Sequence, residues 1–108
     1  MTWTVETLNA AVDAELEALP VSLRARLARI VELIETVGLA HVHEPHVAHL
    51  EGKLWELRAK AKDGIARAIY VTTTGRRVVI LHAFVKKAQK TPAGALELAR
   101  QRLREVKP

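Results

Sequence analysis

The chain contains no cysteine, which rules out disulfides, thiolate metal ligands and cysteine nucleophiles and leaves any catalysis to other side chains. It also lacks long apolar runs: nothing approaches the roughly 18 uninterrupted apolar residues of a membrane span. The opening MTWTVETLN has neither the basic nor the apolar region of a secretory signal. A cytoplasmic location with no membrane partner is therefore expected. A Gly-rich phosphate loop, a G-x-S-x-G elbow and a His-x-Glu deaminase signature are missing as well, which removes the commonest nucleotide, hydrolase and zinc-deaminase chemistries.

What is present is 108 residues of 49% hydrophobic composition, room for one domain with one core, expected to span residues 1–108. Charge is distributed unevenly. The net +5 divides into −4 for residues 1–50, with three Arg against seven acids, and +9 for residues 51–108, with fourteen Lys and Arg against five acids. A cationic half of this kind favours polyanionic partners through phosphate neutralisation and counterion release.

Along the chain, Thr2 to Leu8 alternates and reads as a strand, and Asn9 offers an N-cap to a helix ending near Leu19. Pro20 breaks the pattern. Ser22 then caps a second helix in which Leu23, Leu27, Ile30, Val31, Ile34 and Val37 recur at helical spacing up to Gly38. The stretch Leu39–Gly52 reads as a His-rich loop. His41, His43, His46 and His49 with Glu44 suggest zinc, but Pro45 forbids the helix a metal motif would use. A solvated loop, sensitive to pH at about 6 to 7 through its imidazoles, is the expectation, with no metal and no other cofactor.

The segment from Leu54 to Pro92 carries most of the information. Runs around Leu54–Arg58, Ile65–Thr73 and Arg77–Phe84, separated by Asp63-Gly64 and Thr74-Gly75, predict a three-stranded antiparallel meander. If each pair occupies a two-residue turn, Leu57 opposes Tyr70, Arg58 opposes Ile69, Ala68 opposes Leu81 and Arg67 opposes His82. One face then carries Trp55, Leu57, Ala68, Tyr70, Val79, Leu81 and Ala83 and is expected to pack on the helices. Trp3 and Trp55 are read as core residues in preference to base-stacking platforms.

The other face collects Glu56, Arg58, Arg67 and His82, with Lys60 at its edge and Lys86, Lys87 and Lys90 in the loop beyond; Ile69, Val71 and Ile80 share it. A solvated sheet face with one Glu56–Arg58 pair, worth under about 1 kcal/mol when exposed, would leave the same pattern. The functional reading is phosphodiester cleavage, which needs a base for the attacking hydroxyl, cations for the phosphorane and an acid for the leaving oxygen. Glu56, the pair Arg58 and Arg67, and His82 or a lysine could fill those roles. Thr91 as N-cap and Pro92 at the first helical position begin a last helix, with Leu96, Ala99, Leu103 and Val106 on one side and Arg100, Gln101 and Arg104 on the other.

Read in order, Leu19-Pro20, Gly38-Leu39, Leu54-Trp55-Glu56-Leu57-Arg58, Arg67 three residues before Tyr70, Leu81-His82-Ala83-Phe84-Val85-Lys86-Lys87 and Lys90-Thr91-Pro92 make the chain resemble the HigB/RelE-type toxins of bacterial toxin-antitoxin modules, in the branch close to phage-derived proteins. The resemblance implies an α+β fold: a small antiparallel sheet packed against an N-terminal helical hairpin, ordered strand, two helices, three strands, last helix. It also implies a metal-independent endoribonuclease that cuts mRNA on the ribosome by attack of a 2′-hydroxyl on the adjacent phosphate. Carried over by position, Arg58, Arg67 and Lys87 are the basic residues of the site; Glu56 as base and His82 or Lys87 as acid come from the residues themselves, not from the resemblance. Lys60, Lys86, Lys90, Arg100 and Arg104 would bind nucleic acid. Two departures leave base and acid open: Glu56 stands where some members have lysine, and no tyrosine begins the last helix. The implied partners are mRNA, the ribosome and a cognate antitoxin, a helix-turn-helix protein forming a hetero-oligomer with the toxin. The alternative is a non-catalytic basic module binding nucleic acid or protein, including a gyrase-directed relative.

Overall fold

The computed structural model describes residues 2–62, 64–87 and 90–107. Its first strand, β1 (Thr4–Thr7), leads into α1 (Ala10–Glu17), where the Asn9 side chain accepts from the Val12 N–H at 3.1 Å, as the sequence predicts. Pro20 then stands at the N-cap position of α2 (Val21–Val37), so Ser22 lies inside the helix and does not cap it. The buried stripe of α2 is Leu23, Leu27, Ile30 and Ile34. Gly38 ends the helix at φ +94°, a conformation that favours glycine.

The predicted His-rich loop is partly ordered. After a short 3₁₀ turn at Leu39–His41 it forms a strand, β2 (Val47–Glu51), at the sheet edge. There follow β3 (Leu54–Ala61), β4 (Gly64–Thr73), β5 (Arg77–Lys86) and α3 (Ala93–Leu103). The α+β class holds, but the sheet is larger than expected and mixed. Its order is β1-β5-β4-β3-β2, and β1 runs parallel to β5 while the other pairs are antiparallel. A parallel neighbour is possible because α1 and α2 intervene as a crossover between β1 and the rest of the sheet.

The turns differ from the predicted pairs, and the difference decides which side chains share a face. Ala61 pairs with Gly64, which slides the first hairpin by two residues and preserves every face assignment on β3 and β4. Asp63 lies outside the described residues. Thr73 pairs with Arg77, so the second turn is one residue longer than predicted. This moves Val79 and Leu81 off the helical-hairpin face and puts Ile80 onto it. A bulge between Ile69 and Tyr70 then sets two residues of β5 against one of β4, and His82 and Phe84 return to their predicted side.

Both faces of the sheet are covered. Leu57, Ala59, Ala66, Ala68, Tyr70, Val78 and Ile80 pack with Val12, Leu23, Leu27, Ile30 and Ile34 beneath α1 and α2. Leu54, Ile69, Val71, Val79 and Leu81 pack with Ala95 and Ala99 beneath α3. Truncating a large member of either cluster should cost about 2–5 kcal/mol. Trp55, expected in the core, is 39% exposed and lies against the His49 ring at 4.7 Å. No helix among the described residues is long and apolar enough to cross a membrane.

Candidate nucleic-acid interface

Because directly opposed residues share a face, the α3 side of the sheet is a grid of rows running across β3, β4 and β5. Glu56, Ile69 and His82 form one row, Arg58, Arg67 and Phe84 the next, and Lys60, Ile65 and Lys86 the last. All four polar residues predicted to share a face do share it. The face is not open, however: α3 and its approach roof the first two rows.

Glu56 and Arg67 are fully buried. Glu56 Oε1 accepts from Arg67 Nη1 at 3.1 Å and from Arg58 Nε at 2.6 Å, and Glu56 Oε2 accepts from the Thr91 hydroxyl at 2.8 Å. Thr91 is thus no N-cap, as the sequence had suggested. Its hydroxyl is turned inward to the carboxylate, also accepting from Arg67 Nη1 at 3.4 Å, while Pro92 holds the N-cap position of α3. From the sequence, Arg58 and Arg67 are expected to meet the phosphorane as a pair, but Arg58 alone of the two reaches solvent, with 27% of its side chain exposed. A Thr followed by Pro reads as a helix start in any sequence, so nothing local signalled this inward bond.

His82 stands two strands away from Glu56, with Ile69 between. Its Nδ1 pairs with Glu15 Oε1 at 2.9 Å, and its ring stacks on Phe84 at 4.9 Å. Glu15 also accepts from the Ala83 N–H and from Arg102, whose Nη1 donates in turn to the Leu81 carbonyl. Burial alone would push the Glu15 carboxyl up, but the hydrogen bonds from Arg102, His82 and Ala83, with the His82 charge, hold it below its ordinary range. His82 therefore belongs to a junction of α1, β5 and α3. Glu15 and Arg102, which make that junction, carried no signal in sequence beyond their charge.

Of the remaining cations, Arg100 forms a bidentate pair with Glu51 on β2 at 2.6 and 2.7 Å and a further bond to Glu97 at 3.0 Å. The hydrogen bonds from Arg100 hold the Glu51 carboxyl below its usual value. Arg104, at the end of α3, is exposed. Tyr70 lies in the core, and burial pushes its hydroxyl up to about 12, which removes it from acid–base work near neutrality.

The open part of the face is its last row. Lys60 and Lys86 are exposed at its two ends, Lys87 and Lys90 are exposed in the segment that follows β5, and Arg58 in the neighbouring row is partly exposed. An open cleft of about 270 Å³ runs along this end, lined by Arg58, Lys60 and Ile65 from the sheet and by Glu44 to Ala48 from the approach to β2. Such a concave cationic surface suits a phosphate backbone. Among the described residues no group of His, Asp and Glu is gathered closely enough to hold a metal ion.

A family model described as Phage derived protein Gp49-like (DUF891) matches residues 14–104, leaving β1 outside and taking in the antiparallel strands, α2 and α3. No curated protein matches the chain.

Proposed function

This chain belongs to the Gp49-like phage-derived protein family, and from that premise we propose that it is the toxin of a type II toxin-antitoxin module, a cytoplasmic, metal-independent endoribonuclease acting on mRNA at the ribosome. The observation that carries this reading is the cationic cleft at the open end of the α3 face. Arg58 is the anchor. Its Nε is held by the buried Glu56, which Arg67 and Thr91 fix in turn, so the guanidinium is oriented toward the cleft without being hidden. Lys60, Lys86, Lys87 and Lys90 would hold the flanking phosphates, and Arg58 would meet the charge that builds on the phosphorane when the 2′-oxygen attacks. In this arrangement Glu56 and Arg67 position Arg58 instead of touching RNA. The partner is a cognate antitoxin, a small helix-turn-helix protein whose binding closes the site in a hetero-oligomer.

Induction of the protein in growing cells should arrest growth, and mRNA recovered from programmed ribosomes should carry new ends with a 2′,3′-cyclic phosphate and a 5′-hydroxyl. Arg58→Ala should lower the rate of cutting by about a hundredfold or more, the scale of one missing transition-state donor. Intact mRNA under all these conditions would reject the enzyme reading.

One observation favours a second reading. Both oxygens of Glu56, the carboxylate the sequence nominated as base, are engaged by Arg58, Arg67 and Thr91. A non-catalytic module, nucleic-acid-binding or gyrase-directed, would use the same cationic surface. It would show salt-dependent binding without cut product.

A further inference from the structure

Cleavage at this cleft needs a group that can take and return a proton. Glu56 is buried and its oxygens are engaged, His82 is tied to Glu15 away from the cleft, and Tyr70 is in the core. From the composition of the cleft wall we infer that His46 is the proton-transferring catalytic residue, acting on the 2′-hydroxyl of an RNA strand whose phosphate is held by Arg58 and Lys60. This rests on the ribonuclease reading above.

His46 immediately precedes β2, and its main chain is fixed on both sides. Its N–H donates to the His43 carbonyl at 2.9 Å, and its carbonyl accepts from the Arg58 N–H at 2.9 Å. Since Val47 pairs with Leu57, His46 falls opposite Arg58, and opposed residues place their side chains on the same face. Both line the cleft, together with Lys60. An exposed imidazole beside an oriented guanidinium is what a hydroxyl-to-phosphate transfer requires, because imidazoles exchange protons near neutrality while the cation fixes the phosphorus within reach.

The step balances without any further reagent. One proton passes from the 2′-oxygen to the imidazole as the O2′–P bond forms. The P–O5′ bond breaks, and the imidazolium returns the proton, through water, to the departing 5′-oxygen. The charged groups around the ring are Glu44 from its own segment, Arg58 and Lys60 from β3, and Arg26 and Arg29 from α2, which share a second groove with His46. Glu44 is the one carboxylate in the cleft wall among the described residues.

The experiment measures cutting of mRNA on programmed ribosomes by the full chain, its His46→Gln and His46→Ala variants, and a His41→Gln control. Gln keeps the main-chain bonds of position 46, and circular dichroism and thermal unfolding verify the fold. The expected result is a fall in kcat of about 10²- to 10⁴-fold with little change in KM, loss of the acidic limb of the pH profile, recovery of His46→Ala by added imidazole, and no effect at position 41. Normal kcat and an unchanged pH profile in a folded His46→Gln protein would overturn the inference and leave the ribonuclease reading standing. So would a rise in KM alone. Absence of cutting by the unsubstituted protein would reject the ribonuclease reading and this inference with it.

Discussion

Arg67 Nη1 donates to Glu56 Oε1 at 3.1 Å, and neither side chain keeps any exposed surface. Removing two opposite charges from water together gains little net stability, but removing one of them afterwards strands the other. Arg67→Ala or Glu56→Ala should therefore lower stability by about 3–5 kcal/mol, read as a shift in the urea midpoint. Replacing both with methionine should cost clearly less than the two single effects added together. Strict additivity would show that the two charges do not depend on each other. Loss of activity in Arg67→Ala must accordingly be judged only after the folded fraction is known.

Thr91→Val keeps the shape of the side chain and removes the hydroxyl that donates to Glu56 Oε2 at 2.8 Å. The buried acceptor then lacks a partner, at a cost of about 1–3 kcal/mol. The weakening should appear first at the start of α3, where the amides of Ala95 and Leu96 donate to the Pro92 carbonyl. Hydrogen exchange at these two amides should accelerate before exchange in β4 does. Uniform acceleration across the protein would count against a local hold on α3.

Glu15 gives a signed pH prediction. Its carboxyl is held below the ordinary value of 4.5 in the folded chain, so its contribution is complete above the unfolded value and is lost as pH falls through the folded one. The Glu15 contribution to the urea midpoint should be lost as pH drops below about 4.5, the range set by the unfolded carboxyl. Glu15→Gln should be less stable at pH 7 and should show a shallower acid decline. An identical decline in both proteins would assign the acid sensitivity to other carboxylates.

Neutralising Lys60, Lys86, Lys87 or Lys90 singly should leave the unfolding midpoint almost unchanged, since all four are exposed. For each phosphate that a substitution leaves without its cation, the slope of log affinity for single-stranded RNA against log salt should shrink by about 0.7. Arg100→Gln should leave that slope alone, because Arg100 is already paired with Glu51 and Glu97. A larger effect at Arg100 than at the lysines would move the interface to α3.

The sequence conveyed the helices well because their ends are set by local chemistry: Asn9 caps, Pro20 breaks and Gly38 turns. The shared face of Glu56, Arg58 and Arg67 was also readable, since an error of two residues in the first hairpin leaves side-chain parity intact. Val79, Ile80 and Leu81 were misplaced by a turn one residue longer than its Thr74-Gly75 signature suggested, and the bulge that restores parity at His82 leaves no mark in composition. β2 escaped notice because a short edge strand containing His49 and Glu51 lacks the apolar alternation of its neighbours. The burial of Arg67 could not be read because it depends on where α3 docks, which is a tertiary event. His46 was visible only as one of four histidines in a polar stretch until its pairing with Arg58 singled it out.

The bonds from the Val5 N–H to Glu35 and from the Ala83 N–H to Glu15 have one more implication. Each helix of the N-terminal pair lends a carboxylate to a main-chain donor that a foreign strand would otherwise claim, one on the outer rim of β1 and one where β5 outruns it. The β1 edge of the sheet is thereby shielded against intermolecular strand pairing. The other edge strand is β2, beside the cleft that Arg58 and Lys60 line.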